Sequence, residues 1–270
     1  MKLSDRYPHF KFQTGKHLTL LILNTLLITF LWNNPTLFAA KKAYPFSPGE
    51  QLTFEVRWSF IPAGRAVLEI LPVEEVNGEN AFHFVMTSET YPLIDIFYKV
   101  RDRIDSYTDT CMTHSFKYKK SKRGTSTKEV EVIFNWKKGT ARYSESGQKG
   151  QEISIMPGSF DPLSVFYAFR LHSLYQGKKI ETPVTDGKKC VIGKATVIKK
   201  EKIKINGKLY DTYLVEPELK HLGGVFEKTE DAKLRIWVSA DDKKIPLRIE
   251  SRLIVGSFIA ELTSYKKAAP

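Results

Sequence analysis

The feature that most constrains the fold is an apolar–polar alternation with a period of two residues, which recurs along most of the chain after residue 50. In EQLTFEVRW, for example, Leu52, Phe54, Val56 and Trp58 share one face, and hydroxyl or charged side chains occupy the other. Such alternation predicts half-buried β-strands. The same pattern returns in the segments NAFHFVMTSE, EVEVIFNW, KLRIWVSAD and KIPLRIESRL.

Residue pairs that favour tight turns lie between these segments, as expected for strands joined by β-hairpins. Asn-Gly at 77–78 and 206–207 and Asp-Gly at 186–187 supply the positive φ angles that tight hairpins require. About a dozen strands follow from this punctuation. Because twist makes a large antiparallel sheet curl, close or split, we predict a mainly β fold. One large curved antiparallel sheet, a roll or partly closed barrel, should form a single β domain over residues 41–270.

The first forty residues have the order of an export signal. Four basic side chains precede an apolar run of 15 residues at 18–32, and small residues follow, ending at Ala40. This order predicts a leader that is cleaved after Ala39 or Ala40. The run is shorter than the roughly 20 residues that span a bilayer, but a retained membrane anchor stays as an alternative. We therefore expect an exported protein of the periplasm of a Gram-negative bacterium, in the lumen or peripheral to a membrane.

One segment, SFDPLSVFYAFRLHSLYQGKK at 159–179, departs from the β pattern and predicts a helix. Asp161 is placed as the N-cap, Pro162 as the first helical residue, and Gly177 where the helix ends. The apolar side chains cover more than one face of this helix; they are Leu163, Phe166, Tyr167, Phe169, Leu171 and Leu174. A helix with such a surface is expected to pack into the concave sheet or to cap it.

The chain resembles a known family through motifs that occur in the family's order. These motifs are FSPGEQLTFEVRW, IPAGRAVLEI, FYKVRDRIDSYTD, HSFKYKKSKRG, DPLSVFYAFRLHSLYQGKK, VTDGKKCVIGKATV, LYDTYLVEP and LRIWVSADDKKIPLRIE. Together they cover about residues 46 to 265, and they resemble the bacterial exported proteins classed as domain of unknown function 3108. DPLSVFYAFR, in the pattern DPLSxxYxxR, is the most specific of them. The resemblance implies export and a mainly β fold, and it implies no chemistry.

Arg170 is the residue of the helix whose role the sequence leaves open. A buried Arg needs a carboxylate or carbonyl partner, which favours a structural clamp between helix and sheet. The alternative is an anchor for an anionic head group or an acidic ligand. The full set of candidates for ligand contact or clamping is Asp161, Phe166, Tyr167, Arg170, Trp58, Trp136 and Trp237.

No catalytic or metal-binding constellation stands out, so we predict no catalytic residue, no metal and no cofactor. The chain has neither a G-x-S-x-G nor an H-E-x-x-H motif, and Ser164 has no evident base. The histidines after the leader are scattered. Asp102, Asp105 and Asp109 lack the spacing of a calcium loop, and we interpret them as strand-face charges that meet basic residues across the sheet.

The charge of the chain is strongly basic, with 42 Lys and Arg, 30 Asp and Glu, and a net charge of +12. The leader holds four basic residues and one acidic residue, so +9 remains after cleavage. Lysine-rich stretches such as 117–128 and 199–208 are typical of protected strand edges. The excess charge also favours an anionic membrane surface as a partner. Nucleic acid is not expected, because the chain lacks aromatic–basic RNA motifs and a helix-turn-helix.

The two cysteines after the leader, Cys111 and Cys190, leave a further alternative open. In an oxidising compartment they can pair, or each can be a small half-buried residue on a strand. Spacing alone does not distinguish a disulfide between them from two separate thiols.

Three functional hypotheses follow from these features. The first is a non-enzymatic envelope protein that binds a hydrophobic or amphiphilic, lipid-like ligand, or a partner protein, in envelope assembly. The second is a structural or interaction module with a fully packed interior. The third is an envelope hydrolase, in which acids such as Asp105 or Asp109 meet a His or Ser in a polar cleft. A cavity above roughly 300 Å³ separates the first hypothesis from the second.

Overall fold

A computed structural model describes residues 43–218, 233–253 and 256–267. The predicted leader and its cleavage site at Ala39 or Ala40 lie outside the described residues. Within the described residues, no helix is long and apolar enough to cross a membrane.

The described residues form fourteen strands and two short helices. The strands are β1 (Gln51–Trp58), β2 (Ile61–Val76), β3 (Glu79–Thr90), β4 (Val100–Asp109), β5 (Ser115–Gly124), β6 (Lys128–Asn135), β7 (Thr140–Glu145), β8 (Gln148–Ser154), β9 (Lys179–Thr185), β10 (Cys190–Ile205), β11 (Lys208–Pro217), β12 (Lys233–Ser239), β13 (Pro246–Leu253) and β14 (Gly256–Lys266). The helices are α1 (Pro92–Asp95) and α2 (Ser164–Phe169).

The hairpin turns have the backbone that their sequences predict. In the β2–β3 turn, φ is 55° at Asn77 and 86° at Gly78, and the β10–β11 turn repeats this with 47° at Asn206 and 80° at Gly207. Two successive positive φ angles give a turn whose twist matches that of the flanking strands. The long hairpins therefore continue the twist of the sheet without splaying.

All fourteen described strands belong to one antiparallel sheet. Its order is β8-β7-β6-β5-β4-β3-β2-β1-β14-β13-β12-β11-β10-β9, so that β1 and β14 join the two halves of the chain. Among the described strands, β8 and β9 each have one strand neighbour, and the sheet is not closed. The prediction of one large, curved, partly closed antiparallel sheet is confirmed.

The seam between the two ends of the sheet is bridged by the segment before α2 and by the β9–β10 turn. The amide of Phe160 donates to the carbonyl of Pro183 at 2.9 Å, and that of Thr185 donates to the carbonyl of Phe160 at 2.9 Å. The β9–β10 turn lies over the inner face of β6 and β7, where Gly187 packs against Val132 and Tyr143. The sheet is therefore curled until its two ends are in contact without pairing edge to edge.

The core lies on the concave face of the curled sheet. It is built from the apolar side of the alternating strands, for example Leu52 and Phe54 of β1, Ile70 of β2 and Phe84 of β3, all of them buried. The described residues from Tyr44 onward form one compact unit. Burial of one face, as in β1 and β4, explains the period of two in the sequence.

The helix prediction for 159–179 needs two corrections. Helix α2 is only six residues long and begins at Ser164, not at Pro162. A second helix, α1, which the sequence analysis did not predict, interrupts the connection between β3 and β4. The segment after α2 turns away because it has to lead into β9, and pairing in the sheet outweighs the helical pattern of its apolar residues.

Candidate functional site

A cavity of 960 Å³ lies between two parts of the curled sheet and α2. On one side are the inner faces of β5, β6 and β7, and on the other the inner faces of β9 to β12. Helix α2 and the turn before it contribute Pro162, Val165, Phe166 and Phe169. The two ends of the sheet meet at the seam through a turn and a short bridge, and the described residues leave the space beside them open.

The walls of this cavity are mainly apolar. β-branched and aromatic side chains dominate them, as expected for the inward face of strands. They include Ile180, Val184, Val191, Val215, Ile236 and Val238. Pockets of 300–1,000 Å³ with apolar walls and a few polar groups are typical of small-molecule sites.

Lysines are the main charged groups of the cavity wall. Seven lysines contribute to it, against the two acids Asp186 and Glu218; the lysines are Lys120, Lys122, Lys128, Lys188, Lys189, Lys194 and Lys244. Lys122 stands directly opposite Lys128 in the β5–β6 ladder. Like charges in facing positions destabilise a sheet, and the acid that faces Lys122 on its other side is Asp102 of β4.

Three of these lysines form a cluster, which we call the lysine cluster: Lys120, Lys122 and Lys128. Lys128 pairs with Glu145 at 2.5 Å, whereas Lys120 and Lys122 form no ion pair within the described residues. Burial lowers the pKa of Lys120, and the charges of Lys122 and Lys128 add to this against the opposing charge of Asp102. Lys120 and Lys122 are therefore the members of the cluster that an anion in the cavity could pair with.

The prediction that the lysine-rich stretch 117–128 mainly protects a strand edge is wrong. Strand β5 pairs with β4 on one side and β6 on the other, so it is not an edge. Lys117 and Lys119 point outward and share Glu131, at 3.1 and 3.5 Å. Lys120 and Lys122 line the cavity. The signal that could have separated the two sets was the period of two within KYKKSK.

Asp161 positions α2 through a buried network of hydrogen bonds. Its carboxylate accepts hydrogen bonds from the hydroxyls of Ser106 and Ser115 at 2.6 Å and of Ser164 at 2.7 Å. It also accepts from the amides of Leu163 at 2.8 Å and Ser164 at 3.0 Å. Asp161 thus accepts hydrogen bonds from the backbone amides at the start of α2, as an N-cap residue does. It also links this turn to β4 and β5. Its lone pairs and the Ser164 hydroxyl are occupied within the core.

Tyr167 and Phe166 occupy different surroundings, although they are neighbours on α2. Tyr167 is buried and stacks on Phe84 with ring centroids 4.0 Å apart, and Phe46 packs edge-on at 5.5 Å. Its hydroxyl has no hydrogen-bond partner among the described residues, and burial raises its pKa. Phe166 lines the cavity, so the helix presents Phe166 to the cavity and Tyr167 to the core.

Arg170 is 1% exposed, and each nitrogen of its guanidinium donates to a protein acceptor. Nη1 lies 2.5 Å and Nη2 3.1 Å from the two carboxylate oxygens of Glu50. Nε donates to the carbonyl of Lys243 at 2.9 Å and Nη2 to that of Pro45 at 3.0 Å. The group also lies 5.3 Å from the ring centre of Phe46. Arg170 borders the cavity, but its donors are directed to protein acceptors.

The three tryptophan candidates lie outside the cavity wall. Trp58 is exposed at the end of β1. The indole of Trp136 donates to the carbonyl of Ser115 at 2.9 Å, and that of Trp237 donates to Glu201 at 3.0 Å. Of the seven candidates from sequence, only Phe166 and Arg170 border the cavity. The other cavity residues come from β5, β6 and β9 to β12, which the sequence does not place together.

An ionic cluster that the sequence did not predict surrounds His83 on β3. Nε2 lies 2.8 Å from Asp105 and Nδ1 lies 2.9 Å from Glu74, while the ring stacks on Tyr107 at 4.3 Å. Arg103 binds the same Asp105 carboxylate at 2.6 Å. Asp105 thus meets Arg103, one of the expected basic partners, but along β4 and not across the sheet, where its partner is His83. None of these side chains borders the large cavity.

Cys111 and Cys190, whose pairing the sequence does not decide, form no disulfide. Cys111 lies exposed in the β4–β5 turn. The sulfur of Cys190, by contrast, lies at 3.4 Å from both the amide of Met156 and the hydroxyl of Ser159. The two side chains therefore point into different surroundings.

Comparisons with known proteins bear on the family and on the fold. A family model described as "Protein of unknown function (DUF3108)" matches residues 53–263. No curated protein matches the chain. A crystal structure of a beta-barrel-like protein of domain of unknown function DUF1849 from Brucella abortus is similar, with a TM-score of 0.52 and 10% identity. The match covers 83% of this chain and 100% of that one, and at this identity it supports the fold alone.

Proposed function

The chain belongs to the DUF3108 family of proteins of unknown function, and from its site we propose that it binds an amphiphile in the cavity beside α2. The ligand class is a hydrophobic tail attached to an anionic head group. The observation that carries the proposal is a 960 Å³ cavity with apolar walls and seven lysines.

The apolar walls support a hydrophobic tail as the buried part of the ligand. Each methylene group removed from water contributes about 0.8 kcal/mol, so a single long acyl chain supplies enough free energy for stable binding. The volume lies above the roughly 300 Å³ that we set as the boundary against a fully packed interaction module. The space thus favours the ligand-binding hypothesis over the packed module.

The lysine cluster supports an anionic head group. A phosphate or carboxylate between Lys120 and Lys122 would offset the charges of Lys122 and Lys128 that act on Lys120. Lysine binds phosphate as a point charge and needs no fixed geometry. The anion would also restore the pKa of Lys120 toward its ordinary value, because it stabilises the ammonium form.

The location that fits this ligand class is the bacterial cell envelope. A leader that is cleaved as the sequence predicts would export the chain there, and envelope membranes contain anionic amphiphiles. In this proposal the protein is a non-enzymatic carrier or sensor of such a molecule. The ion pair of His83 and Asp105 lies outside the cavity, and the acids that border the cavity are Asp186 and Glu218.

The proposal is tested by calorimetric titration of residues 44–270 with a single-chain lysophosphatidylglycerol, compared with the zwitterionic lysophosphatidylcholine. We expect tighter binding of the anionic lipid. Val191→Trp places a large side chain in the cavity. It should lower the affinity for both lipids roughly tenfold or more. Its matched control is Ile198→Trp, on the same strand and outside the cavity wall, which should bind as the wild type does.

A second pair of variants tests the head-group contact. Lys120→Gln with Lys122→Gln should remove the preference for the anionic lipid and leave binding of the zwitterionic lipid unchanged. Lys202→Gln, at an exposed lysine near Asp211, is the control. Absence of binding by the wild type, or full binding by Val191→Trp, would contradict the proposal and favour a packed interaction module.

A further inference from the structure

Five large apolar side chains project into solvent around α1 and the β1–β2 turn. We call this group the apolar tip; its members are Phe60, Leu93, Ile96, Phe97 and Tyr98. Phe60 is 86% exposed, Phe97 80% and Ile96 74%. Contiguous exposed apolar groups are unusual on soluble proteins and mark interaction surfaces.

The segment that carries the tip is held in place by defined contacts. Asp95 of α1 pairs with Arg101 of β4 at 2.6 Å. The amide of Tyr91 donates to the carbonyl of Ala63 on β2 at 3.0 Å. Ile96 and Phe97 are therefore exposed on a turn that is anchored to β4 by Asp95 and to β2 by the amide of Tyr91.

The apolar tip lies next to the lysine cluster. The amide of Lys99, which follows the tip, donates to the hydroxyl of Thr125 at 2.9 Å, and the amide of Thr125 donates to the carbonyl of Lys99 at 3.0 Å. Thr125 belongs to the β5–β6 turn, between Lys122 and Lys128. In an antiparallel meander the β1–β2, β3–β4 and β5–β6 connections share one end of the sheet.

We propose that the apolar tip inserts into the surface of a bilayer that contains anionic lipid. Aromatic and aliphatic side chains on a protruding turn bury their area at the boundary between head groups and acyl chains. The lysine cluster at the same end complements negative head groups, which attract basic residues within a Debye length. The contact places the lysine-lined part of the cavity toward the membrane.

This inference extends the proposed function, since it supplies the surface from which an amphiphile would enter the cavity, but it stands on the tip independently. The test is flotation of residues 44–270 with vesicles of phosphatidylcholine alone or mixed with phosphatidylglycerol. We expect association with the mixed vesicles, weakened by salt, and little with phosphatidylcholine alone. Ile96→Ser with Phe97→Ser should weaken association roughly tenfold or more.

Two controls make the outcome specific. Leu209→Ser changes a side chain that is 58% exposed on β11, away from the tip, and should associate with vesicles as the wild type does. The double variant Ile96→Ser with Phe97→Ser, the tip variant, should bind soluble lysophosphatidylglycerol as the wild type does. This result distinguishes loss of the membrane contact from loss of the cavity site. Fluorescence of Trp58, just before Phe60, should be quenched by brominated lipids only in the wild type and in Leu209→Ser.

Two results would overturn the inference. One is absence of association with the mixed vesicles, or equal association of the wild type and the tip variant. The other is a concentration-dependent self-association in solution that the tip variant abolishes, without vesicle binding. That result would show that the tip contacts a second copy of the chain and not a membrane.

Discussion

At the scale of single residues, the partners of each charged side chain decide whether it stabilises the fold or is available for a ligand. Asp105 is held by His83 and Arg103, whereas Lys120 and Lys122 have no such partner within the described residues. The residue types alone do not make this distinction, since acids and lysines occur throughout the strands. The contacts make Asp105 structural, and they leave the two lysines as the polar part of the candidate site.

The contribution of Asp105 to stability should depend on pH. Burial by itself raises the pKa of Asp105, but hydrogen bonds from His83 and Arg103 lower it to about 2, from its ordinary value of 3.8. Because the folded pKa is lowered, the contribution is fully present above about pH 4 and is lost as the pH falls to 2. Asp105→Asn should therefore cost roughly 2 kcal/mol at neutral pH and almost nothing near pH 2.

Urea unfolding of the wild type and Asp105→Asn between pH 2 and 7 measures this difference. Asp211→Asn is the matched control, because Asp211 is 60% exposed and 3.9 Å from Lys202. It should differ little from the wild type at every pH. A cost of Asp105→Asn that stays constant down to pH 2 would contradict the assignment.

At the scale of elements, the β9–β10 hairpin closes the seam that the strand pairing leaves open. Its turn packs on the inner face of β6 and β7, and this contact depends on a residue without a side chain. A Cβ at Gly187 would lie 2.9 Å from two methyl carbons of Val132 and 3.2 Å from the Cβ of Tyr143. Gly187 also has a φ of 83°, which favours glycine for a separate reason.

Gly187→Ala should destabilise the fold more than Gly147→Ala does. Both glycines have a φ of 83°, so both substitutions cost about 1 kcal/mol of backbone strain. Only Gly187 meets a packed surface, because nothing lies within 4 Å of a Cβ at Gly147. Crowding at Gly187 should add about 1–3 kcal/mol, measured by urea unfolding. Equal costs for the two variants would show that the turn does not pack on β6 and β7.

At the scale of the whole molecule, one buried ion pair joins three parts of the chain that are distant in sequence. Arg170 follows α2, Glu50 precedes β1, and the Lys243 carbonyl lies in the β12–β13 turn. The pair is shielded from solvent, with side chains 1% and 4% exposed. Removing one partner from such a pair leaves an uncompensated buried charge.

Arg170→Met should therefore destabilise the protein by about 3–5 kcal/mol, and Glu50→Gln should cost a similar amount. Arg65→Met is the control, because its partner Glu89 lies at 2.8 Å on the surface and exposed pairs contribute about 0–1 kcal/mol. Thermal unfolding at neutral pH measures all three. A cost below 1 kcal/mol for Arg170→Met would contradict the view that this pair holds the parts together.

Much of the fold was predictable from sequence, and little of the site was. The alternation of Leu52 and Phe54 with polar residues predicted β1, and Asn77–Gly78 predicted the turn after β2, because both depend on neighbours along the chain. The length of α2 was overestimated, since the pairing that begins at Lys179 competes with the helical pattern before it. The cavity was not predicted, because its walls come from strands that are distant in sequence.

The sequence by itself determined the local period, the hairpin turns, the family and the sign of the charge. The period follows from the pleat of a strand, the turns from the φ angles of Asn-Gly, the sign of the charge from composition, and the family from motifs such as DPLSVFYAFR. Only the tertiary structure decided that Lys120 and Lys122 face an apolar cavity while Lys117 and Lys119 face Glu131, and that Arg170 meets Glu50. The reason is physical: the side of a strand that becomes the interior, and the partner a buried charge finds, depend on how far the sheet curls.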